Sequence, residues 1–162
     1  MNQTVVDRLF EFLAPRLPGT IAAYLAIGHE PDLEALWNRL PGWRWVLPRI
    51  EDDETLTFRD RDVEREEHRW GITQPVGSGP SIRIPELDVI LVPALAFDRS
   101  GARLGRGGGH YDRVLTTRRP GSHAIGVSIK ARVVESIPVE PHDQPVDWLA
   151  TEEGVRLCSP RS

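Results

Sequence analysis

The stretch from Val92 to Arg113 carries the residues best suited to chemistry on a phosphorylated ligand. It reads VPALAFDRSGARLGRGGGHYDR and leads into a helix that the residue pattern predicts to start near His110. Backbone amides of such a loop can approach a phosphate closely, and the dipole of the following helix also favours an anion. A structural turn of this composition is the alternative, because neither a Walker A lysine nor the GxGxxG fingerprint is present. Four of the five positions before residue 110 are glycine, namely Gly105, Gly107, Gly108 and Gly109.

The same part of the chain is positively charged, although the protein as a whole is acidic. From Asp98 to Arg119 there are six arginines and two aspartates, a local charge of +4 in a chain whose net charge is −4. A field of that sign beside a glycine-rich loop suits a polyanion such as a nucleoside triphosphate.

Three carboxylates are candidate ligands near this loop. Asp112 falls in the first turn of the predicted helix, where it could cap the helix or hold a magnesium ion that bridges phosphates; spacing alone favours the cap. Asp143 lies between two prolines in the sequence EPHDQPVD and could be a second magnesium ligand. Glu30 follows the first predicted strand, where open α/β sheets place ligands, although stabilisation of a helix N-terminus explains it almost as well.

Composition excludes several other classes of protein. At 162 residues the chain is expected to form one domain, and without a basic excess it is not expected to bind nucleic acid. Cys158 is the single cysteine, which rules out a disulfide framework and a cysteine-based zinc site. No apolar run approaches the ~18 residues of a membrane span, so no membrane partner is expected and the cytoplasm is the expected compartment.

Hydrophobic periodicity predicts alternating strands and helices, the pattern of an α/β fold with two βαβ units. The acidic segment 51–67 holds nine carboxylates against three arginines, and we predict that it is a solvated hairpin or an edge strand around residues 55–58. Residues 71–85, dense in Gly, Pro and Ser, are predicted to form a loop. The predicted strands cover residues 20–27, 43–47, 87–92, 124–129 and 146–150, and the predicted helices cover residues 3–14, 33–40 and 108–117.

Together these stretches resemble the 5-formyltetrahydrofolate cyclo-ligase family, also called 5,10-methenyltetrahydrofolate synthetases. The correspondence extends over nearly the whole chain, and the AFD…G.RLG.GGG.YDR signature is specific to this family and its relatives. The resemblance implies a three-layer α/β/α fold with a mostly parallel central sheet, similar to the sugar-isomerase and CoA-transferase group, in which residues 1–162 form a single domain. The matching segments are Glu30-Pro31-Asp32, Leu47-Pro48-Arg49, Gly71-Ile72, Pro75, VPALAFDRSGARLGRGGGHYDR and HDQPVDWLATE.

The resemblance also implies an enzyme that uses ATP and magnesium to convert 5-formyltetrahydrofolate, with or without a polyglutamate tail, into 5,10-methenyltetrahydrofolate. ADP and phosphate would be released, and a monomer is expected. A protein that binds nucleotide or folate without closing the ring is the alternative. The implied roles are catalysis by Arg106, His110 and Tyr111, nucleotide binding by Arg103, Leu104, Gly105, Arg106, Gly107, Gly108, Gly109, His110 and Tyr111, folate binding by Glu30, Arg106, Gly107, Gly108, Gly109 and His110, and magnesium binding by Asp112 and Asp143.

Three features depart from the family pattern. The family opens with a basic helix that reaches the ATP phosphates, and this chain is expected to begin after it. His110-Tyr111 replaces a pair of tyrosines. Gln74 stands where the family's Gly-Ile-x-Glu-Pro loop has an acid.

Overall fold

The computed structural model describes residues 2–68, 71–107 and 109–160. Three α-helices are present in these ranges, α1 (Asn2–Leu13), α2 (Glu34–Arg39) and α3 (His110–Thr117), together with short 3-10 helices at Ile84–Glu86 and Lys130–Arg132. The strands are β1 (Thr20–Ala22), β2 (Arg44–Ile50), β3 (Leu56–Asp60), β4 (Arg65–Glu67), β5 (Thr73–Pro75), β6 (Val89–Val92), β7 (Ala96–Asp98), β8 (Arg103–Leu104), β9 (His123–Val127), β10 (Val133–Val134), β11 (Trp148–Thr151) and β12 (Gly154–Leu157).

Seven strands form the central sheet, in the order β12-β11-β9-β6-β1-β2-β3. The five inner strands run parallel, and β3 and β12 pair antiparallel at the two edges. All four residues of β6 are buried, as expected for a parallel strand that is covered on both faces. Both predicted βαβ units are confirmed, because α2 connects β1 to β2, and α3 lies between β6 and β9 in the chain.

Helices cover both faces of this sheet. On one face α1 and α2 pack on the sheet, and the residues that α1 buries, among them Val5 and Leu9, recur at helical spacing. On the other face Val114 and Leu115 of α3 join a second apolar cluster with Phe58 and Phe97. The predicted three-layer α/β/α fold is therefore confirmed.

Several element boundaries differ from the prediction. The strand predicted at residues 20–27 ends at Ala22, with five residues between it and a turn at Gly28, whose φ is +60°. The strand predicted at residues 146–150 is confirmed as β11, but it is not the last strand, since Gly154, with a φ of +143°, lets the chain return as β12. The antiparallel pair β7–β8 was not predicted, and part of the predicted 71–85 loop is β5, which pairs with β4.

None of the helices within the described residues is both long enough and apolar enough to cross a bilayer.

Candidate functional site

The candidate site lies where the strand order reverses. From β1 the chain first builds the sheet towards β2 and β3, and then returns to add β6 on the other side of β1. The loops that leave the carboxyl ends of β1 and β6 therefore diverge and leave a crevice, the place where open α/β sheets bind ligands. Glu30 is in the first of these loops, and the glycine-rich segment follows β6 through β7 and β8.

Glu30 is held inside this crevice. Its side chain is only 7% exposed, its Oε1 accepts a hydrogen bond from the Ile27 N–H at 2.9 Å, and its Oε2 lies 3.6 Å from Nη2 of Arg106. Burial raises the pKa of Glu30, while the Ile27 N–H and Arg106 act in the opposite direction. The structure thus brings together a predicted folate contact and an arginine of the glycine-rich segment.

Two tyrosines lie beside Glu30. The Tyr24 hydroxyl is buried and donates to the Pro31 carbonyl at 2.8 Å. Burial, and after it the charge of Glu30, raises the pKa of both Tyr24 and Tyr111, so both phenols stay protonated at neutral pH. Tyr111 was a predicted site residue, whereas Tyr24 was not. The only signal for Tyr24 was a polar hydroxyl inside an apolar run.

The glycine-rich segment enters α3 with an unusual backbone. Gly107 and Gly109 have φ values of +98° and +65°, which only glycine adopts readily. Gly109 is the N-cap residue of α3, and glycine has no side chain that could form a capping hydrogen bond. The first amides of a helix lack intrahelical partners and can bind an anion. Leu104, Gly105 and Arg106 are exposed beside them, while Gly108 lies outside the described residues.

Asp112 does not cap α3, so the capping interpretation is wrong. Its Oδ1 accepts hydrogen bonds from Nη2 of Arg103 at 2.7 Å and from the Gln144 N–H at 3.1 Å. The side chain of Arg103 is only 7% exposed, and its buried Nε has no hydrogen-bond partner among the described residues. Arg103 is a predicted nucleotide contact, and in the structure its guanidinium binds the carboxylate of Asp112.

The second predicted magnesium ligand lies on the adjoining segment. Asp143 directly precedes Gln144, whose backbone bonds Asp112, and its own Oδ2 accepts from the Glu140 N–H at 2.8 Å. No group of three or more His, Cys, Asp or Glu side chains that could hold a metal ion occurs within residues 2–68, 71–107 and 109–160. Magnesium does not require such a group, since it usually keeps several waters and is bound by one or two carboxylates with phosphate oxygens. Asp112 and Asp143 fit that donor set.

His110 has a neighbour that the sequence did not predict. Its Nε2 lies 3.4 Å from Oε2 of Glu54, a residue of the turn between β2 and β3. The edge-strand prediction for the acidic segment is confirmed by β3, but its description as solvated is wrong for part of the segment. Arg59 is buried, and it donates to the Glu51 carboxylate at 3.0 Å.

The fold and the candidate site define an α/β protein whose mostly parallel sheet has a cluster of charged side chains at the point where the strand order reverses. The chain belongs to the 5-formyltetrahydrofolate cyclo-ligase family, whose family model matches residues 1–152. The predicted membership is thereby confirmed.

Individual relatives agree with this assignment. The chain is 39% identical over 135 residues to a 5-formyltetrahydrofolate cyclo-ligase of Mycolicibacterium smegmatis, covering 76% of this chain and 69% of that protein. It is 30% identical over 165 residues to a 5-formyltetrahydrofolate cyclo-ligase of Escherichia coli K12, covering 96% of this chain and 90% of that protein. The NMR structure of Aquifex aeolicus 5,10-methenyltetrahydrofolate synthetase superposes with a TM-score of 0.81 at 31% identity, covering 99% of this chain and 83% of that one.

Proposed function

We propose that this protein converts 5-formyltetrahydrofolate into 5,10-methenyltetrahydrofolate, with hydrolysis of ATP to ADP and phosphate and with magnesium as cofactor. The observation that carries this proposal is the approach of Arg106 to Glu30 within 3.6 Å. Glu30 belongs to the loop after β1 and Arg106 to the segment before α3, so the two proposed binding regions meet at one point.

In this proposal the glycine-rich segment holds the nucleotide. The backbone from Arg103 into the first turn of α3 at Tyr111 would cradle the phosphates, and Arg106 would neutralise part of their charge. ATP would supply the phosphoryl group that turns the formyl oxygen into a leaving group. Such transfer depends on positioning and on charge neutralisation more than on covalent chemistry by the protein.

Magnesium would bind at Asp112 and Asp143. The buried guanidinium of Arg103 fixes the orientation of Asp112 through the 2.7 Å hydrogen bond, and the Gln144 N–H ties the loop of Asp143 to the same carboxylate. Supporting contacts of this kind orient metal ligands and increase their affinity.

The folate would occupy the crevice next to Glu30. The buried carboxylate can accept hydrogen bonds from ring N–H groups, and the protonated phenol of Tyr111 is a donor in the same place. The acidic glutamate end of the folate would be attracted by the positive charge of residues 98–119.

A spectroscopic assay tests the proposal. Purified protein incubated with 5-formyltetrahydrofolate, ATP and magnesium is expected to develop the near-ultraviolet absorbance of methenyltetrahydrofolate and to release ADP and phosphate in equal amounts. Omission of ATP or chelation of magnesium should abolish the signal. The proposal fails if folded protein at high concentration produces neither the absorbance nor ADP.

A further inference from the structure

The turn that joins β2 to β3 contains a backbone conformation that its residue type disfavours. Glu54 has a φ of +68°, and it is the one non-glycine residue with a positive φ in the described part of the chain. A side chain with a Cβ is strained there, whereas glycine is not. A conformation of this kind persists only where the surrounding structure enforces it.

The surrounding turn does enforce it. The Glu51 N–H donates to the Thr55 carbonyl and the Glu54 N–H donates to the Glu51 carbonyl, both at 2.9 Å. Oδ1 of Asp53 accepts from the Thr55 hydroxyl at 2.6 Å and from the Thr55 N–H at 3.1 Å. These bonds close the turn at both ends and hold Glu54 in the left-handed region.

The strand ends that carry the turn are also fixed. The Glu51 carboxylate accepts from the Thr57 hydroxyl at 2.6 Å and from the Arg59 guanidinium at 3.0 Å. The buried Gln74 amide accepts from the Ile50 N–H at 2.9 Å. Glu54 is therefore presented from a rigid support.

The carboxylate so presented reaches the entrance of the glycine-rich segment. Its Oε2 lies 3.4 Å from Nε2 of His110, the first residue of α3. His110 directly follows Gly109, whose left-handed φ starts the helix. The imidazole is thus constrained by a residue 56 positions away in the sequence.

We propose that Glu54 is a positioning residue, which holds the His110 imidazole beside the nucleotide- and folate-binding segment. This inference rests on the proposed function, because that function gives His110 its role. It explains why a strained glutamate occupies a turn in which glycine would fit without strain: the strain keeps the carboxylate within reach of His110.

Replacement by glycine separates this role from a structural one. Glu54→Gly removes the carboxylate and the backbone strain together, so we expect an unchanged or higher melting temperature and kcat/KM lower by about tenfold or more, as is usual when a supporting contact is lost. Glu54→Gln keeps the strain and an oxygen acceptor, and should recover part of the activity. Asp52→Asn removes one charge from an exposed position of the same turn and should leave both quantities unchanged.

Two further measurements complete the test. In the Glu54→Gly, His110→Gln double variant, kcat/KM should fall no further than in His110→Gln alone, because the effects of residues that act as a unit are not additive. The ring resonances of His110 in NMR spectra should shift in Glu54→Gly but not in Asp52→Asn. Absence of turnover in the unmodified protein would refute the proposed function alone, since the resonances still report on the contact. Full activity of Glu54→Gly, additive losses, unchanged His110 resonances, or a melting temperature that falls together with activity would each overturn the role of Glu54.

Discussion

At the scale of single residues, Glu30 shows how the site differs from the rest of the surface. It is an acidic side chain that the fold removes from water, and the Ile27 N–H at 2.9 Å and the Arg106 guanidinium at 3.6 Å compensate for part of the lost hydration. Ionisable groups in such surroundings cluster at functional sites, because binding and catalysis need charges that water does not neutralise. The cost of this arrangement can be measured as a dependence of stability on pH.

Glu30→Gln is expected to change that dependence. Burial raises the pKa of Glu30 above its ordinary value of 4.5, so the folded protein binds this proton more tightly than the unfolded chain does. The free energy of unfolding contributed by Glu30 therefore falls as pH rises through the interval between the two pKa values, and stays at its lower level above it. The variant lacks this loss, so its stability relative to the unmodified protein should increase across that interval in urea denaturation at several pH values.

An exposed carboxylate is the control for this experiment. Glu135→Gln removes a charge from an exposed loop position and should produce no comparable trend. Parallel stability curves for Glu30→Gln and the unmodified protein would contradict the prediction.

Asp112→Asn is expected to affect both activity and stability. If Asp112 holds magnesium, loss of its charge should lower turnover by about 100-fold or more, because stabilisation of transition-state charge by a metal is worth several kcal/mol. Its contact with the buried Arg103 adds a cost in stability of about 1.5–3 kcal/mol, the range for hydrogen bonds to charged groups. Turnover at saturating magnesium and urea denaturation measure the two effects.

Arg103→Met is the matched control, since it removes the same contact while leaving the carboxylate of Asp112 in place. It should lower stability yet keep magnesium-dependent turnover above that of Asp112→Asn. Full turnover of Asp112→Asn would refute a role in magnesium binding.

At the scale of elements, the β2–β3 hairpin depends on one amide from β5. Gln74 is 4% exposed, and its side chain accepts from the Ile50 N–H at 2.9 Å and donates to the Ile50 carbonyl at 3.4 Å. An amide carries both a donor and an acceptor, which a carboxylate does not. Gln74 is thus a structural tie between two sheets.

Two substitutions at this position test the tie. Gln74→Ala should destabilise the protein by about 1–3 kcal/mol, because both backbone groups of Ile50 lose a buried partner. Gln74→Glu keeps the acceptor but sets a carboxylate against the Ile50 carbonyl, so it should be destabilising at neutral pH and recover as the pH is lowered. Chemical denaturation at pH 5 and pH 8 distinguishes the two, and a Gln74→Glu variant as stable as the unmodified protein would contradict this account.

The elements also show which parts of the fold a sequence can predict. The α1 helix and the buried strand β6 follow from local periodicity, and both were predicted to within two residues. The early end of β1 has no signal in its continuous apolar run, and the pairing of β7 with β8 depends on the turn that Asp98 closes by accepting hydrogen bonds from the Ser100 and Ala102 N–H groups. Side-chain contacts of this kind leave no hydrophobic periodicity.

In the candidate site, too, local features were predictable from the sequence and contacts between elements were not. The glycine-rich segment and its carboxylates were predicted because their chemistry is local to the sequence. The contact between Glu54 and His110 was not predicted, since it joins residues from two separate elements. The partnership of Arg103 with Asp112 was missed although only nine positions separate them, because the chain must leave β8 and enter α3 for the two to meet.

At the scale of the whole molecule, segments of opposite charge face each other. Segment 51–67 carries nine carboxylates and three arginines, a charge of −6, whereas segment 98–119 carries +4. In the folded protein Glu54 contacts His110, and Arg113 is one of the groups that lower the pKa of Asp53, after the dominant effect of Thr55. The acidic hairpin therefore lies beside the basic segment. An anionic ligand that binds the basic segment would lie close to the carboxylates of the hairpin.

Binding of ATP with magnesium should stabilise the folded protein against unfolding. A ligand at about 100 times its Kd adds about 2.7 kcal/mol when it binds the folded protein alone, which for a chain of this length raises the melting temperature by about 5–10 °C. Thermal unfolding with and without the ligand measures the shift, and Asp112→Asn should reduce it. A shift without turnover would favour the alternative of a binding protein that does not close the ring, whereas no shift would contradict nucleotide binding.

The packing of α1 has a consequence for how the protein is made. This helix buries its apolar face partly against β11 and β12, and the Phe12 ring meets the Trp148 ring edge-on at 5.0 Å. On a ribosome, Phe12 is synthesised about 136 residues before Trp148, so at about 5–20 residues per second it waits roughly 7–27 s for this partner. During that time the apolar stripe of α1 is uncovered on its β11 side, and a factor that shields nascent apolar segments would find a binding site there.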